Sequence, residues 1–198
     1  METDKRFIQF LNKFVSISLE EYNQFLAPYL QLRKFGKKET VLKEGETENH
    51  INFILSGLVR KFYKKEKEEI NTQISFEDHI IHSQESFHSR KPSEYTIETI
   101  EPTVMLSITY DDLEKIYAGS HKMEHLGRVI ITTAMVIKDN WQMQMVKHTP
   151  RERFVKFINK NPELLQRVPQ KYLATFLNIK PETFSRFKHL LREPSLIK

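Results

Sequence analysis

The sequence predicts an α+β fold, in which an antiparallel β domain lies between an N-terminal helical segment and a helical C-terminal half. Short β-prone runs separated by polar turns fill residues 31–109, and apolar residues at helical spacing fill residues 4–30. A helical pattern without proline runs from about residue 121 to 146, and two short helices follow within residues 170–189. At 198 residues the chain is long enough for a stable core and for two domains.

Residues 4–30 predict two short helices. Ser18, followed three positions later by Glu21, is a capping-box pattern that begins the second of them. The apolar positions of the two helices are Phe7, Phe10, Leu11 and Phe14, and then Leu19, Tyr22, Leu26 and Leu30.

The β domain is predicted to contain six to eight strands. Residues 64–69 form a charged hairpin tip, and Gly45 and Gly57 lie where turns are expected. The runs that predict strands are 41–42, 51–55, 58–63, 70–76, 95–100 and 104–108.

The long helix is apolar over more than one stripe, which predicts that it packs against two partners. One partner is the β domain, and the other is the same helix of a second subunit in a homodimer. A central helix buried within a monomer has the same periodicity and is the alternative. The predicted dimer seam consists of Leu126, Ile130, Thr133, Ile137, Asn140 and Gln144. Thr149, Pro150 and Glu152 then predict a new helix start and a domain boundary.

Basic charge is concentrated at the C-terminal end of the chain. From Lys147 onward there are 12 Lys and Arg against 4 Glu, a net charge of +8, whereas the preceding part has a net charge of −3. This asymmetry indicates a segment that meets a polyanion, with a solvated basic face as the alternative.

Residues 170–189 satisfy the requirements of two short helices that cross at a fixed angle. Asn178 lies at the tight turn, where a residue that tolerates positive φ is needed, and Pro181 opens the second helix. Ala174 is small where the helices approach each other. The positions predicted to be buried are Leu173, Leu177, Ile179, Phe184 and Phe187. We therefore predict a helix-turn-helix DNA-binding unit, with a helical hairpin that serves only packing as the alternative.

The second helix of this unit is predicted to present residue types that read a major groove. Arg186 can donate two hydrogen bonds to guanine, and Glu182 can accept one from cytosine. Lys171 and Lys180 are expected to contact phosphates, which orient the protein without reading sequence. The predicted DNA-binding set is Lys171, Lys180, Pro181, Glu182, Thr183, Ser185, Arg186, Lys188 and His189.

These segments together resemble the Crp/Fnr superfamily of transcription regulators over nearly the full length of the chain. The most specific match is PETFSR at 181–186, which is similar to the family's recognition-helix pattern R-E-T-[VL]-S-R. Residues 44–46 and 53–60 also resemble the family's EGD and YFIxSGxVR stretches.

The resemblance implies three parts in family order. These are a cyclic-nucleotide-binding-like β-roll (a double-stranded β-helix) with N-terminal helices at 1–120, a long dimerisation helix at 121–148, and a (winged) helix-turn-helix domain at 149–198. It also implies a cytoplasmic homodimer that regulates transcription on double-stranded DNA, with RNA polymerase as a further partner. Carried over by position, Glu182 and Arg186 read bases, and Thr183 and Ser185 contribute nearby.

The sequence departs from the family pattern in two DNA-binding features. Pro181 replaces an arginine that reads a base in some members, which changes the expected half-site preference. Residues 163–168 leave little room for the β-hairpin wing that many members place before the helix pair.

A larger departure concerns the effector pocket. The family grips a phosphate with a Phe-Gly-Glu turn and an Arg-Ser-Ala segment, whereas this chain has FED at 76–78 and KPSE at 91–94. An adjacent carboxylate repels a phosphate and proline lacks an amide donor, so we predict that cyclic AMP is not the effector, or that none exists. The residues that the resemblance places at this pocket are Phe76, Glu77, Arg90, Lys91 and Ser93.

Other chemistries receive little support from the sequence. The absence of cysteine excludes disulfides and thiolate sites and fits a reducing cytoplasm. Histidines at 79, 82 and 88, and the helical pair at 121 and 125, lack an acidic or sulfur framework, so no metal or haem cofactor is predicted. No nucleophile elbow or phosphate loop occurs, so the chain is not predicted to be an enzyme. The sequence also shows no signal peptide and no apolar stretch of membrane length.

Two alternatives to an effector-controlled regulator stay open. One is a ligand-binding β-roll whose C-terminal helices mediate assembly rather than DNA binding. The other is a regulator without any small-molecule effector. A polar-lined empty cavity in the roll favours a ligand, and a roll filled by its own side chains favours a regulator without one.

Overall fold

The computed structural model describes residues 2–187. Strands lie between an N-terminal helical segment and a helical C-terminal half, which confirms the predicted α+β class. The helices are α1 Glu2–Leu11, α2 Leu19–Glu21, α3 Gln84–Ser89, α4 Tyr110–Gly119, α5 His121–Lys147, α6 Pro150–Lys160, α7 Leu164–Arg167, α8 Gln170–Phe176 and α9 Pro181–Phe187. The strands are β1 Gln31–Phe35, β2 Thr40–Leu42, β3 His50–Ser56, β4 Val59–Lys65, β5 Glu68–Ser75, β6 Ile80–Ile81, β7 Thr96–Thr99 and β8 Thr103–Thr109.

The N-terminal segment has the predicted capping box at the start of α2. The Ser18 hydroxyl accepts a hydrogen bond from the Glu21 amide, and the Glu21 carboxylate accepts one from the Ser18 amide. The helix then continues as a π-helical turn over Tyr22–Leu26 and a 3-10 turn over Ala27–Tyr29. Phe14, which was predicted to lie on the face of the first helix, follows the end of that helix.

The strands form two four-stranded sheets with the orders β1-β8-β3-β6 and β2-β7-β4-β5. In the first sheet, β8 pairs antiparallel with both β1 and β3, and β3 also pairs antiparallel with β6. The register between β3 and β8 shifts at a bulge between Ile54 and Ser56. This arrangement is the predicted antiparallel β-roll.

An aromatic core joins the N-terminal segment to the first sheet. Phe53 of β3 lies 4.9 Å from Phe7 and 4.7 Å from Phe10 of α1, measured between ring centroids. Met123 and Leu126 of α5 belong to the same buried cluster. The first turns of the long helix are therefore held by the hydrophobic core of the roll.

Gly57 allows the tight turn that follows β3. Its φ of 106° lies in the left-handed region, and an added Cβ would lie 2.6 Å from the carbonyl oxygen of Pro102. A side chain at this position would require the backbone to move, which explains why glycine occupies this predicted turn.

The described chain divides into two compact units. One contains the residues up to Arg60 together with Ser75–Met135, and the other contains Lys61–Ile74 together with the residues from Val136 onward. The division passes through α5. The domain boundaries predicted near residues 120 and 148 coincide with the two ends of that helix, and the three-part division stays a proposal.

Candidate functional site

The helix pair α8 and α9 is packed around a small buried interior. Ala174 of α8 and Phe184 of α9 are both 0% exposed, and the Ile179 amide donates to the Ala174 carbonyl across the turn at 2.9 Å. Asn178 has a φ of 53°, the left-handed conformation expected at this turn. Leu173, Leu177 and Ile179 are buried as predicted. The local sequence therefore folds into two short helices that are joined by a tight turn and packed on a shared apolar interior.

A second layer of aromatic side chains supports α9 from the inside. Phe154 of α6 is 0% exposed and meets Phe184 edge to face, with 5.0 Å between the ring centroids. Phe187, which was predicted to be buried, is half-buried and lies 5.7 Å from Phe154. These contacts determine which side of α9 faces inward.

The outer side of α9 carries the predicted polar residues. Glu182, Ser185 and Arg186 are exposed, and Thr183 is half-buried. A guanidinium nitrogen of Arg186 donates to the Thr183 hydroxyl at 3.3 Å, so these two side chains lie on the same side of the helix. Pro181 at the start of α9 is also exposed.

The two lysines predicted to contact phosphates are exposed as well. The ammonium group of Lys171 lies 5.1 Å above the Tyr172 ring, and Lys180 precedes α9. Lys188 and His189, which completed the predicted DNA-binding set, lie outside the described residues. The helix pair therefore exposes polar and basic side chains on the side opposite its apolar interior.

The segment before the helix pair contains α7 rather than a wing. From residue 148 to 187 the described chain is helix and turn, with Leu164 of α7 buried and Val168 buried after it. This agrees with the expectation that residues 163–168 are too few for a β-hairpin.

The interior of the roll contains a network of buried polar groups around Glu48. This residue is 3% exposed, and its carboxylate accepts hydrogen bonds from the backbone amides of His50 and Ser83. Its own amide donates to the hydroxyl of Ser86 at 2.9 Å. Ser86 in turn donates to the Lys91 carbonyl. Each of these buried groups is paired with another group of the same chain.

Ser93 extends the network. Its side chain is 2% exposed, and its hydroxyl donates to the Ser83 hydroxyl and accepts from the Tyr95 amide. Its backbone amide donates to the Glu46 carbonyl at 2.8 Å. Both the hydroxyl and the amide that a bound anion would need are thus already engaged.

Arg90 is held in the same region by backbone oxygens and aromatic rings. Its guanidinium donates to the carbonyls of Glu48 and Phe87 and to the Asn49 side chain, at 2.8, 3.1 and 3.0 Å. It also lies 4.1 Å above the Tyr110 ring. The guanidinium of Arg90 is therefore already bound by groups of its own chain.

Burial shifts the titration of the groups in this network. Removal from water raises the pKa of Glu48, and hydrogen bonds from the amides of His50 and Ser83 oppose this shift. Burial, with a smaller contribution from the charge of Arg33, lowers the pKa of His50 to about 4. Arg33, whose charge acts on both Glu48 and His50, also donates to the buried Asn52 at 3.2 Å. The buried polar groups of Glu48, His50 and Asn52 therefore share Arg33 as a neighbour.

The β-roll matches a known domain family, and the whole chain is similar in fold to solved structures. Residues 32–120 match the family described as the cyclic nucleotide-binding domain. FixK2 from Bradyrhizobium japonicum is 14% identical, with a TM-score of 0.69 and coverage of 82% of this chain and 84% of that chain. The chain has the fold of the Crp/Fnr regulators.

Two further structures with the Crp/Fnr fold are similar over most of the chain. The catabolite activator protein of Thermus thermophilus is 18% identical, with a TM-score of 0.57 and coverage of 94% of this chain and 88% of that chain. The c-di-GMP responsive regulator CLP of Xanthomonas campestris is 15% identical, with a TM-score of 0.66 and coverage of 87% and 91%. No curated protein sequence shows significant similarity to this chain.

The residues that the Crp/Fnr resemblance placed at one effector pocket lie on two different segments of the chain. Arg90, Lys91 and Ser93 lie at and after the end of α3, within the Glu48 network. Phe76 and Glu77 instead form the turn between β5 and β6, where the Glu77 carboxylate accepts from the Gly57 amide at 2.9 Å. The assignment of these five residues to one effector pocket stays a prediction.

The predicted dimer seam is divided along α5. Leu126 is 4% exposed and Ile130 packs against the same core, so these two contact the β-roll of their own chain. Thr133 and Gln144 are half-buried, and Ile137 and Asn140 are exposed. The large exposed apolar residues of the second half of α5 are Met135, Val136, Ile137, Met143 and Val146.

The sequence analysis indicated Arg90, Lys91 and Ser93 of the Glu48 network but not Glu48, Ser83 or Ser86. These three are isolated polar residues in the sequence, and only the tertiary structure brings them together. The only local signal for the network was a pair of serines where α3 begins, with Ser83 just before the helix and Ser86 in its first turn.

Residues 2–187 contain no group of three or more His, Asp or Glu residues placed to hold a metal ion. Among the same residues, no helix has the length and apolar character needed to span a bilayer.

Proposed function

We propose that this protein is a sequence-specific DNA-binding transcription regulator of the Crp/Fnr type that acts as a homodimer. The observation that carries the proposal is the two-sided character of α9. Phe184 is 0% exposed on its inner side, whereas Glu182, Ser185 and Arg186 face solvent on the other. A net charge of +8 from Lys147 onward adds attraction to the phosphate backbone.

In this proposal the residues divide into two roles. Arg186 and Glu182 read base edges in the major groove, with Thr183 and Ser185 beside them. Lys171 and Lys180 contact phosphates. Pro181 has no side-chain donor, so the base that an arginine reads at this position in some family members goes unread here.

The homodimer is proposed to form along the second half of α5. Val136 and Met143 are 55% and 56% exposed and lie seven residues apart, which places them on one stripe of the helix. The stripe is flanked by Ile137 on one side and Val146 on the other. Because such an apolar surface is costly to leave in water, the same helix of a second copy is the occupant that fits a two-fold DNA-binding protein.

Cyclic AMP is proposed not to be the effector. A phosphate entering the region of Arg90 and Ser93 would have to displace their hydrogen bonds to the chain and approach the buried carboxyl of Glu48. These internal hydrogen bonds favour a regulator that responds to another ligand or to none. Titration calorimetry with cyclic AMP is expected to show no binding in the micromolar range, and micromolar affinity would contradict this part of the proposal.

The DNA-binding part is tested by comparing Arg186→Ala with a matched control on a duplex selected by the wild-type protein. Lys37→Ala removes one positive charge from an exposed turn of the roll. Loss of a bidentate guanine contact costs about 1–3 kcal/mol, so Arg186→Ala should weaken specific binding by roughly 5- to 150-fold. Lys37→Ala should bind like the wild type.

The salt dependence of the same measurements distinguishes the proposal from assembly by the helices alone. Specific binding should weaken steeply with salt in proportion to the phosphates contacted. A wild-type protein without measurable duplex affinity at low salt would contradict the proposal and favour a β-roll whose helices serve only assembly.

A further inference from the structure

Arg153 in α6 makes an unusual set of contacts for a buried cation. The residue is 9% exposed, and its guanidinium donates to backbone carbonyls rather than to a carboxylate. Nε donates to the carbonyl of Leu177 at 2.9 Å, and Nη2 donates to that of Asn178 at 2.9 Å. Nη1 donates to the carbonyls of Met145 at 3.1 Å and His148 at 2.7 Å.

The four carbonyls belong to two functional elements of the proposed regulator. Met145 lies in the last turn of α5, and His148 follows the end of that helix. Leu177 and Asn178 form the turn between α8 and α9. Carbonyls at a helix C-terminus lack intrahelical partners and carry partial negative charge, so a cation satisfies them. One side chain therefore links the end of the long helix to the turn of the helix pair.

An aromatic contact joins the same two elements. Trp141 of α5 stacks on Phe176 of α8, with 4.6 Å between ring centroids and 17° between ring planes. Phe157 of α6 meets Phe176 edge to face at 5.5 Å. The stacking gives the linkage a second, apolar component beside the hydrogen bonds of Arg153.

We infer that Arg153 is a positioning residue for DNA recognition, which fixes the orientation of the helix-turn-helix on the end of α5. The inference rests on the proposed function, because in the proposed dimer this orientation sets the separation of the two recognition helices. Only arginine supplies planar donors toward both elements at once, whereas lysine presents a single ammonium group. The guanidinium is buried and directed inward, so it is not one of the phosphate contacts.

The first test needs no DNA and uses Trp141, the only tryptophan in the chain. In full-length Arg153→Gln, the helix pair should move away from α5, so Trp141 emission should shift to longer wavelength and acrylamide quenching should increase. Arg151→Gln removes an exposed cation from the same helix and should leave the emission unchanged. Circular dichroism checks that helix content is retained.

If Arg153→Gln loses its fold, Arg153→Lys decides the question. This variant keeps the charge and loses the forked geometry, so a smaller shift of Trp141 emission in the same direction is expected. If the folded variants have the same Trp141 emission and quenching as the wild type, the inference is overturned, whether or not the protein binds DNA.

The second test measures how the variants bind duplexes with one half-site and with two half-sites at the selected spacing. Arg153→Lys should weaken binding to two half-sites by a factor within the roughly 5- to 150-fold range typical of coupled sites. Binding to one half-site should change much less, and the salt slope should stay at the wild-type value because no phosphate contact is lost. Equal losses on both duplexes, with a reduced salt slope, would identify Arg153 as a direct DNA contact and overturn the inference.

Discussion

At the scale of single residues, the interior of the roll is notable for polar groups that satisfy one another. Asn52 is 0% exposed, accepts from the Ser107 hydroxyl at 2.7 Å and donates to the Ile81 carbonyl at 3.1 Å. Arg60 is 2% exposed and donates twice to the Glu98 carboxylate. Buried polar groups of this kind are costly to disturb, so a ligand that enters must replace each bond that it breaks.

His50 makes the folded protein sensitive to acid. Its pKa is lowered from 6.5 to about 4, so below pH 6.5 the unfolded chain takes up a proton that the folded protein does not. Stability should therefore fall as the pH decreases from about 6.5 to 4. The raised pKa of Glu48 acts in the opposite direction, because the folded state is then the first to gain that proton.

The contribution of His50 is isolated by denaturant unfolding of His50→Gln at several pH values. The variant should lose less stability than the wild type between pH 6.5 and 4, since glutamine takes up no proton in either state. Identical pH dependence of the two proteins would show that His50 is not the group responsible.

At the scale of elements, the sequence predicts what is local. The helix pair was predicted with its buried positions and its left-handed Asn178, because spacing within a short segment determines both. The long helix and the capping boxes at Ser18 and Thr149 were predicted for the same reason. Strand β1 was not among the predicted runs, because charged residues interrupt its apolar pattern and its pairing with distant β8 determines that it is a strand.

The partner of a helix face is not encoded in its periodicity. Leu126, Ile130 and Ile137 belong to the same series of alternating four- and three-residue steps, yet the first two pack on their own roll and the third is exposed. Only the tertiary structure distinguishes a face covered by the same chain from one available to another copy. The proposed interface therefore moves toward Val136 and Met143.

The proposed dimer is tested by Val136→Glu. A carboxylate in the centre of an apolar interface is poorly solvated and would face its counterpart across the two-fold axis, so the dimer dissociation constant should increase by about tenfold or more. Sedimentation equilibrium measures this constant. Gln142→Glu adds the same charge at an exposed position about 120° around the helix and should have little effect.

A wild-type protein that stays monomeric at all accessible concentrations would contradict the dimer. Equal effects of Val136→Glu and Gln142→Glu would instead place the interface on another surface. Both outcomes are read from the same experiment.

At the scale of the whole molecule, the chain combines a roll whose buried polar groups bond one another with a helix pair that has an exposed polar side. Arg153 and Trp141 attach the helix pair to the second half of α5. A ligand shifts such a protein only if it binds one conformation better than another. The roll offers its own hydrogen bonds where a phosphate would bind, so control by cyclic AMP is not expected.

In the proposed function, a dimer of this chain reads DNA through two α9 helices. The most direct measurement is selection of binding sites from a pool of random duplexes by the purified full-length protein, without added effector. We predict enrichment of a two-fold symmetric site, with half-sites about one helical turn apart. Recovery of no enriched sequence, or of an asymmetric single site bound equally well by Arg186→Ala, would contradict the account.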